Sequence, residues 1–117
     1  MNFKIINLEA INQSMMGNSA LIKELVDLYI MQSPIDFQAL ENAISVGEYP
    51  LIREKAHHIK PTMQYIGAGE LLQEFQQLEN LAKEKTDLST IKNKFQEIEP
   101  KFSLMIEELN QLASSFS

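Results

Sequence analysis

The sequence predicts an all-α protein: an antiparallel, up-down-up-down four-helix bundle with a short helix ahead of it. Apolar residues recur at three- and four-residue steps over long stretches, no segment sustains period-two alternation, and no Asn-Gly or Asp-Gly hairpin signal occurs. Four amphipathic helices with short connections bury their apolar faces most economically by folding back on one another.

Each element has its own signature. A leading helix over Leu8 to Ser14 is only weakly signalled. From Leu21 to Ile44 the apolar steps include Leu21, Leu25, Leu28, Leu40 and Ile44, with Asn18 or Ser19 as N-cap and Gly47 as the stop. Pro34 lies inside this run and predicts a kink or short break near Ser33. The second helix runs from about Pro50 to Ile66, with proline in its first turn and Gly67 closing it. The third carries Leu71, Phe75, Leu78 and Ala82. The fourth alternates steps of four and three through Ile91, Phe95, Ile98, Phe102, Met105, Leu109 and Leu112. That phase passes Pro100 undisturbed, so one kinked helix is expected rather than two. Core packing accounts for the Leu, Phe and Met stripes, the Met15-Met16 pair included, without any cofactor.

Composition bounds the function. A chain of 117 residues supports one domain, residues 1–117, with a single modest core. Apolar residues make up 44% and charged residues 22%, the balance of a soluble globular chain. A net charge of −6 opposes sequence-independent nucleic-acid binding, which needs a basic stripe to displace counterions. Without cysteine there is neither a disulfide framework nor a thiolate metal site. The opening MNFKIINLEA does not read as a signal peptide, and no run has the length of a membrane span. A cytoplasmic monomer is expected.

The only histidines, His57 and His58, fall in AHHIKP. On a helical wheel Ile52, Ala56, Ile59, Met63 and Ile66 share one apolar arc, which is the face expected to be buried. His57 lies opposite, among Pro50, Arg53, Glu54, Lys60, Pro61 and Gln64. His58 is expected at the flank, half-covered beside Tyr65. An exposed helical histidine is most often an ordinary surface residue.

Two active readings fail on the residues. Glu54-x-x-His57 is a single Glu-x-x-His sequence facing outward, with no third histidine to complete a di-metal site. Nucleophilic hydrolysis has no nucleophile elbow and no enclosed pocket. Phosphoryl acceptance needs only an accessible ring nitrogen, a nearby cation and room for a partner. Lys60, three residues on, shares the face of His57. Over residues 53–60 Arg53, Lys55 and Lys60 oppose only Glu54, a local excess of positive charge within an acidic chain.

The stretch GEYPLIREKAHHIKPTMQYIGAGELLQEFQQLE resembles the core of a histidine-containing phosphotransfer (HPt) domain. Glu48 and Tyr49 follow the helix-ending Gly47. Ala56, His57, Ile59 and Lys60 occupy the family's Ala-His-x-Leu/Ile-Lys motif, Gly67 and Ala68 stand ten residues beyond the histidine, and Leu78-Glu79 follows. The early segment INLEAINQSMMGNSALIKELVDLYI is similar to the family's N-terminal approach.

The resemblance implies that His57 is phosphorylated on its outer ring nitrogen and that Lys60 supports the phosphoryl group. Arg53, Pro61 and Gln64 would border the docking face. The protein would have no kinase activity and no bound cofactor. It would exchange phosphate with the aspartate of a response-regulator receiver domain, a hybrid sensor kinase being the other expected partner, and the receiver would bring the Mg²⁺. The alternative is a helical docking module that does not transfer phosphate. Pro61 stands where the family has glycine, and its ring crowds and frees the carbonyl of His57. Glu74 and Phe75 replace a leucine and a small residue, which is expected to alter packing in the third helix.

Overall fold

The structure, a computed structural model, describes residues 2–116. Five helices account for nearly all of them: α1 (Leu8–Ser14), α2 (Ser19–Val46), α3 (Tyr49–Tyr65), α4 (Gly69–Lys83) and α5 (Leu88–Ser114). The described residues contain no strand. No described helix is long and apolar enough to cross a membrane.

The helix ends follow local chemistry. Asn7 and Asn18 cap α1 and α2, their side-chain oxygens accepting the backbone N–H groups of Ala10 and Leu21. Gly47 ends α2 in the left-handed region, φ 80°. Pro50 lies in the first turn of α3, where its missing N–H costs nothing. Of the kink or short break expected near Ser33, no break occurs. Helical structure runs through Pro34, Pro61 and Pro100 alike, because flanking turns buried against neighbours hold each segment in phase.

Helix α3 packs on α4 and α2, and α5 packs on α2 and α4. The arc predicted for α3 is buried, with Ile52, Ala56, Ile59, Met63 and Ile66 all at 2% exposure or less. The stripes of α4 and α5 are buried as well. Phe37 of α2 stacks on both Phe95 and Phe102 of α5, centroids 4.6 and 4.1 Å away, so the two longest helices share an aromatic seam.

Helix α2 departs from expectation. Its buried positions are Ile22, Val26, Ser33, Leu40, Ala43 and Ile44, whereas Leu21 and Leu28 face solvent with Met31 and Ile35. The helix is apolar on two sides, so periodicity alone could not say which side faces inward. The methionine reading divides likewise: Met15, Met63 and Met105 are core residues, but Met16 and Met31 are exposed.

Two contacts seat the N-terminal segment. Glu108 of α5 is buried and accepts the backbone N–H groups of Lys4, Ile5 and Ile6 at 2.7–3.0 Å. Three donors on one carboxylate satisfy a charge that would otherwise be costly to bury. The Asn7 N–H donates to the Ile66 carbonyl, which lays the start of α1 on the turn between α3 and α4. Gly67 makes that approach possible. Its φ is +69°, and a Cβ there would sit 2.6 Å from the Asn7 Cβ and 2.8 Å from the Ala10 Cβ. Gly67→Ala should therefore destabilise the fold by about 2–4 kcal/mol, from the left-handed backbone and the clash together. Gly69→Ala is the control, since Gly69 begins α4 with open space around its Cβ position. It should be neutral or stabilising by about 0.5–1 kcal/mol. Urea unfolding midpoints of the two variants check both signs.

Candidate functional site

The site forms where α3 meets α4. His57 and Lys60 are three residues apart on α3, and Gln76, Glu79 and Asn80 share one face of α4, so each helix presents a short polar row. The rows meet level by level, His57 with Glu79 and Lys60 with Gln76, as two helices do when the chain folds back across a short turn.

Glu79 is the centre. Its Oε1 lies 2.9 Å from His57 Nδ1 and 3.1 Å from Lys60 Nζ. Lys60 also donates to Gln76 Oε1, and the Gln76 amide nitrogen donates to Asn80 Oδ1 at 3.0 Å. The Glu79 side chain is 13% exposed. Burial pushes its carboxyl up, but the hydrogen bonds from Lys60 and His57 and the charge of Lys60 outweigh that and hold it below the ordinary range. It is therefore ionised at neutral pH.

An ionised carboxylate can only accept, so the proton in the His57–Glu79 contact belongs to Nδ1. In the neutral ring Nε2 is then the nitrogen with the free lone pair. The His57 side chain is 70% exposed, so a partner can reach that nitrogen.

Both histidines are exposed, contrary to the expectation for His58, whose side chain is 67% exposed. The wheel separated their directions correctly but not their coverage. His57 leans towards α4, and His58 leans towards α2, its Nε2 3.7 Å from Asp36 Oδ1. The long side chains of α2 do not close over His58.

The remaining predicted residues divide. An open cleft of about 360 Å³ beside His57 is lined by Pro50, Arg53, Glu54, His57 and Glu79. Pro61 and Gln64 are exposed but lie outside that lining, further along α3. Lys60 is on the expected face but mostly covered, at 16% exposure, because Glu79 and Gln76 draw it down between the helices. The part of Glu79 was missed. Its signal was present: Gly67 lies ten residues after His57 and twelve before Glu79, which places the two nearly level on either side of the turn. The described residues hold no cluster of three or more His, Cys, Asp or Glu arranged for a metal ion.

Compared with known proteins, the chain matches no family model, no curated protein and no solved structure.

Glu79 also predicts an acid response. Its folded carboxyl titrates below the unfolded one, so the unfolded state binds the proton more readily. The resulting stability is complete above about pH 4.5 and is lost as pH falls through the folded value. Glu79→Gln should cost about 1–3 kcal/mol at neutral pH and flatten the acid limb of the stability curve. It should also release His57 from the Nδ1–H tautomer. Urea titrations across the acid range and ¹⁵N shifts of the imidazole check these two outcomes.

Proposed function

We propose that this chain is a histidine phosphotransfer protein, carrying a phosphoryl group on His57 Nε2 between itself and the aspartate of a receiver domain. The observation that carries the reading is the His57–Glu79 contact. It leaves an exposed Nε2 lone pair and puts a fixed negative charge behind the ring. The spacing of His57, Lys60, Gly67 and Glu79 that resembles the HPt family adds to it.

In the transfer, the Nε2 lone pair attacks phosphorus, the bond to the aspartyl oxygen breaks, and the electron pair leaves with the carboxylate. The ring gains positive charge while keeping its Nδ1 proton, and Glu79 stabilises that charge as it develops. Lys60 acts as a positioning residue by holding Glu79. Phosphoryl transfer depends mainly on placement and charge stabilisation, so an open face can serve once a receiver covers it and supplies Mg²⁺. On this reading α2 to α5, joined by connections of two, three and four residues, form an antiparallel up-down-up-down bundle, with α1 as an accessory turn across one end.

Incubation with a phosphorylated receiver and Mg²⁺ should label the wild-type protein with an acid-labile phosphate. The label should be lost in His57→Gln and kept in His58→Gln. A receiver that binds the wild-type chain without transferring label would instead identify a docking module.

A further inference from the structure

Resting on the phosphotransfer reading, we propose that Arg53, and not Lys60, is the side chain that meets the phosphoryl group on His57. Lys60 is already engaged. Its ammonium is held by Glu79 and Gln76 on the Nδ1 side of the ring, and only 16% of the side chain reaches solvent. Moving it to the phosphoryl group would leave Glu79, itself largely covered, with one cation fewer.

The open space beside His57 is shared by Glu79 and the early turns of α3. The cleft beside His57 is walled on α3 by Pro50, Arg53 and Glu54, and Lys60 is not part of it. Helical side chains lean towards the N-terminus, so the ring of His57 lies over the turn that carries Arg53. The two residues are four apart, hence neighbours on one face. Arg53 is exposed and has no ion-pair partner among the described residues. Its guanidinium offers a planar fork that fits two phosphoryl oxygens, which an ammonium cannot do. Glu54 and Glu79 share the cleft and oppose the incoming charge. Arg53 therefore both recruits the phosphoryl group and offsets its carboxylate neighbour.

Arg53 moves no proton. As Nε2 bonds to phosphorus and the leaving group departs with its electron pair, the guanidinium donates hydrogen bonds to two non-bridging oxygens.

The test uses phosphoramidate, which needs no partner protein and whose P–N bond breaks to release ammonia. Wild type, Arg53→Gln, Arg53→Lys, Lys60→Gln and Glu54→Gln are compared in the full chain, with His57→Gln as the blank. The readouts are the rate of phosphohistidine formation and the ³¹P titration of the attached group. Arg53→Gln should slow labelling by about ten- to a hundredfold and raise the pH at which the phosphoryl group loses its last proton. Arg53→Lys should recover part of both effects, and Glu54→Gln should move both in the opposite direction. A merely structural arginine would not move the phosphorus titration. Wild-type rate and titration in Arg53→Gln, or a larger titration shift in Lys60→Gln, would overturn this assignment while leaving the phosphotransfer reading intact. Absence of phosphohistidine in the wild type would overturn both. If Lys60→Gln fails to fold, the Arg53 variants, which alter an exposed side chain, decide the matter alone.

Discussion

One carboxylate, that of Glu79, holds two groups of the neighbouring helix at once, and the character of the α3–α4 face follows from that sharing. Because the same oxygen meets His57 Nδ1 and Lys60 Nζ, the histidine tautomer and the lysine position are set together. Lys60 and the hydrogen bond from Nδ1 keep the carboxylate ionised, and the ionised carboxylate keeps the proton on Nδ1. Each condition supports the other, so the lone pair on Nε2 is left free. Glu74, five residues earlier on α4, does comparable work on another flank, accepting from Lys101 at 2.9 Å and lying 3.5 Å from Lys94, both on α5. Hydrogen bonds from Lys101 to Glu70 and Glu74 raise the pKa of that lysine, so the α4–α5 contact stays charged. Helix α4 is thus clamped to one neighbour by Glu79 and to the other by Glu74.

These clamps work only at one register of α3 on α4, and the turn between them sets it. The N–H of Ala68 bonds to the carbonyl of Met63, and Gly67 takes the left-handed conformation that allows the chain to reverse there. The start of α1 then rests on that turn through Asn7, while Glu108 ties the preceding residues to α5. A segment distant in sequence thereby braces the hairpin that carries the site. Tight packing at Gly67 and the polar row at Glu79 belong to one mechanical unit, which explains why the left-handed glycine stands nearly midway between His57 and Glu79.

The sequence made the helices legible where apolar positions had a single face. Stripes such as Ile52 to Ile66 and Ile91 to Leu112 point unambiguously inward, and all their members are buried. Helix α2 was harder, because Leu21, Leu28, Met31 and Ile35 satisfy the same periodicity on its exposed side. The direction of His57 was likewise readable from the wheel. Its chemistry was not, since that depends on Glu79, whose proximity is a property of the turn and not of either helix alone. The covering of Lys60 was missed for the same reason: a long side chain is exposed or covered according to what the next helix offers it.

The two histidines isolate what makes one of them a candidate nucleophile. Their exposures are 70% and 67%, so access does not distinguish them. The difference is which ring nitrogen faces a carboxylate. In His57 that nitrogen is Nδ1, and Nε2 is left to solvent with Arg53 on the wall of the adjoining cleft. In His58 it is Nε2, with Asp36 3.7 Å away, so a phosphoryl group arriving at that atom would meet a like charge. A carboxylate behind the ring raises the electron density offered by the opposite nitrogen, whereas a carboxylate in front repels the incoming group. On the proposed reading, the neighbouring helix each ring leans on, α4 for His57 and α2 for His58, is what singles out His57 Nε2 as the acceptor.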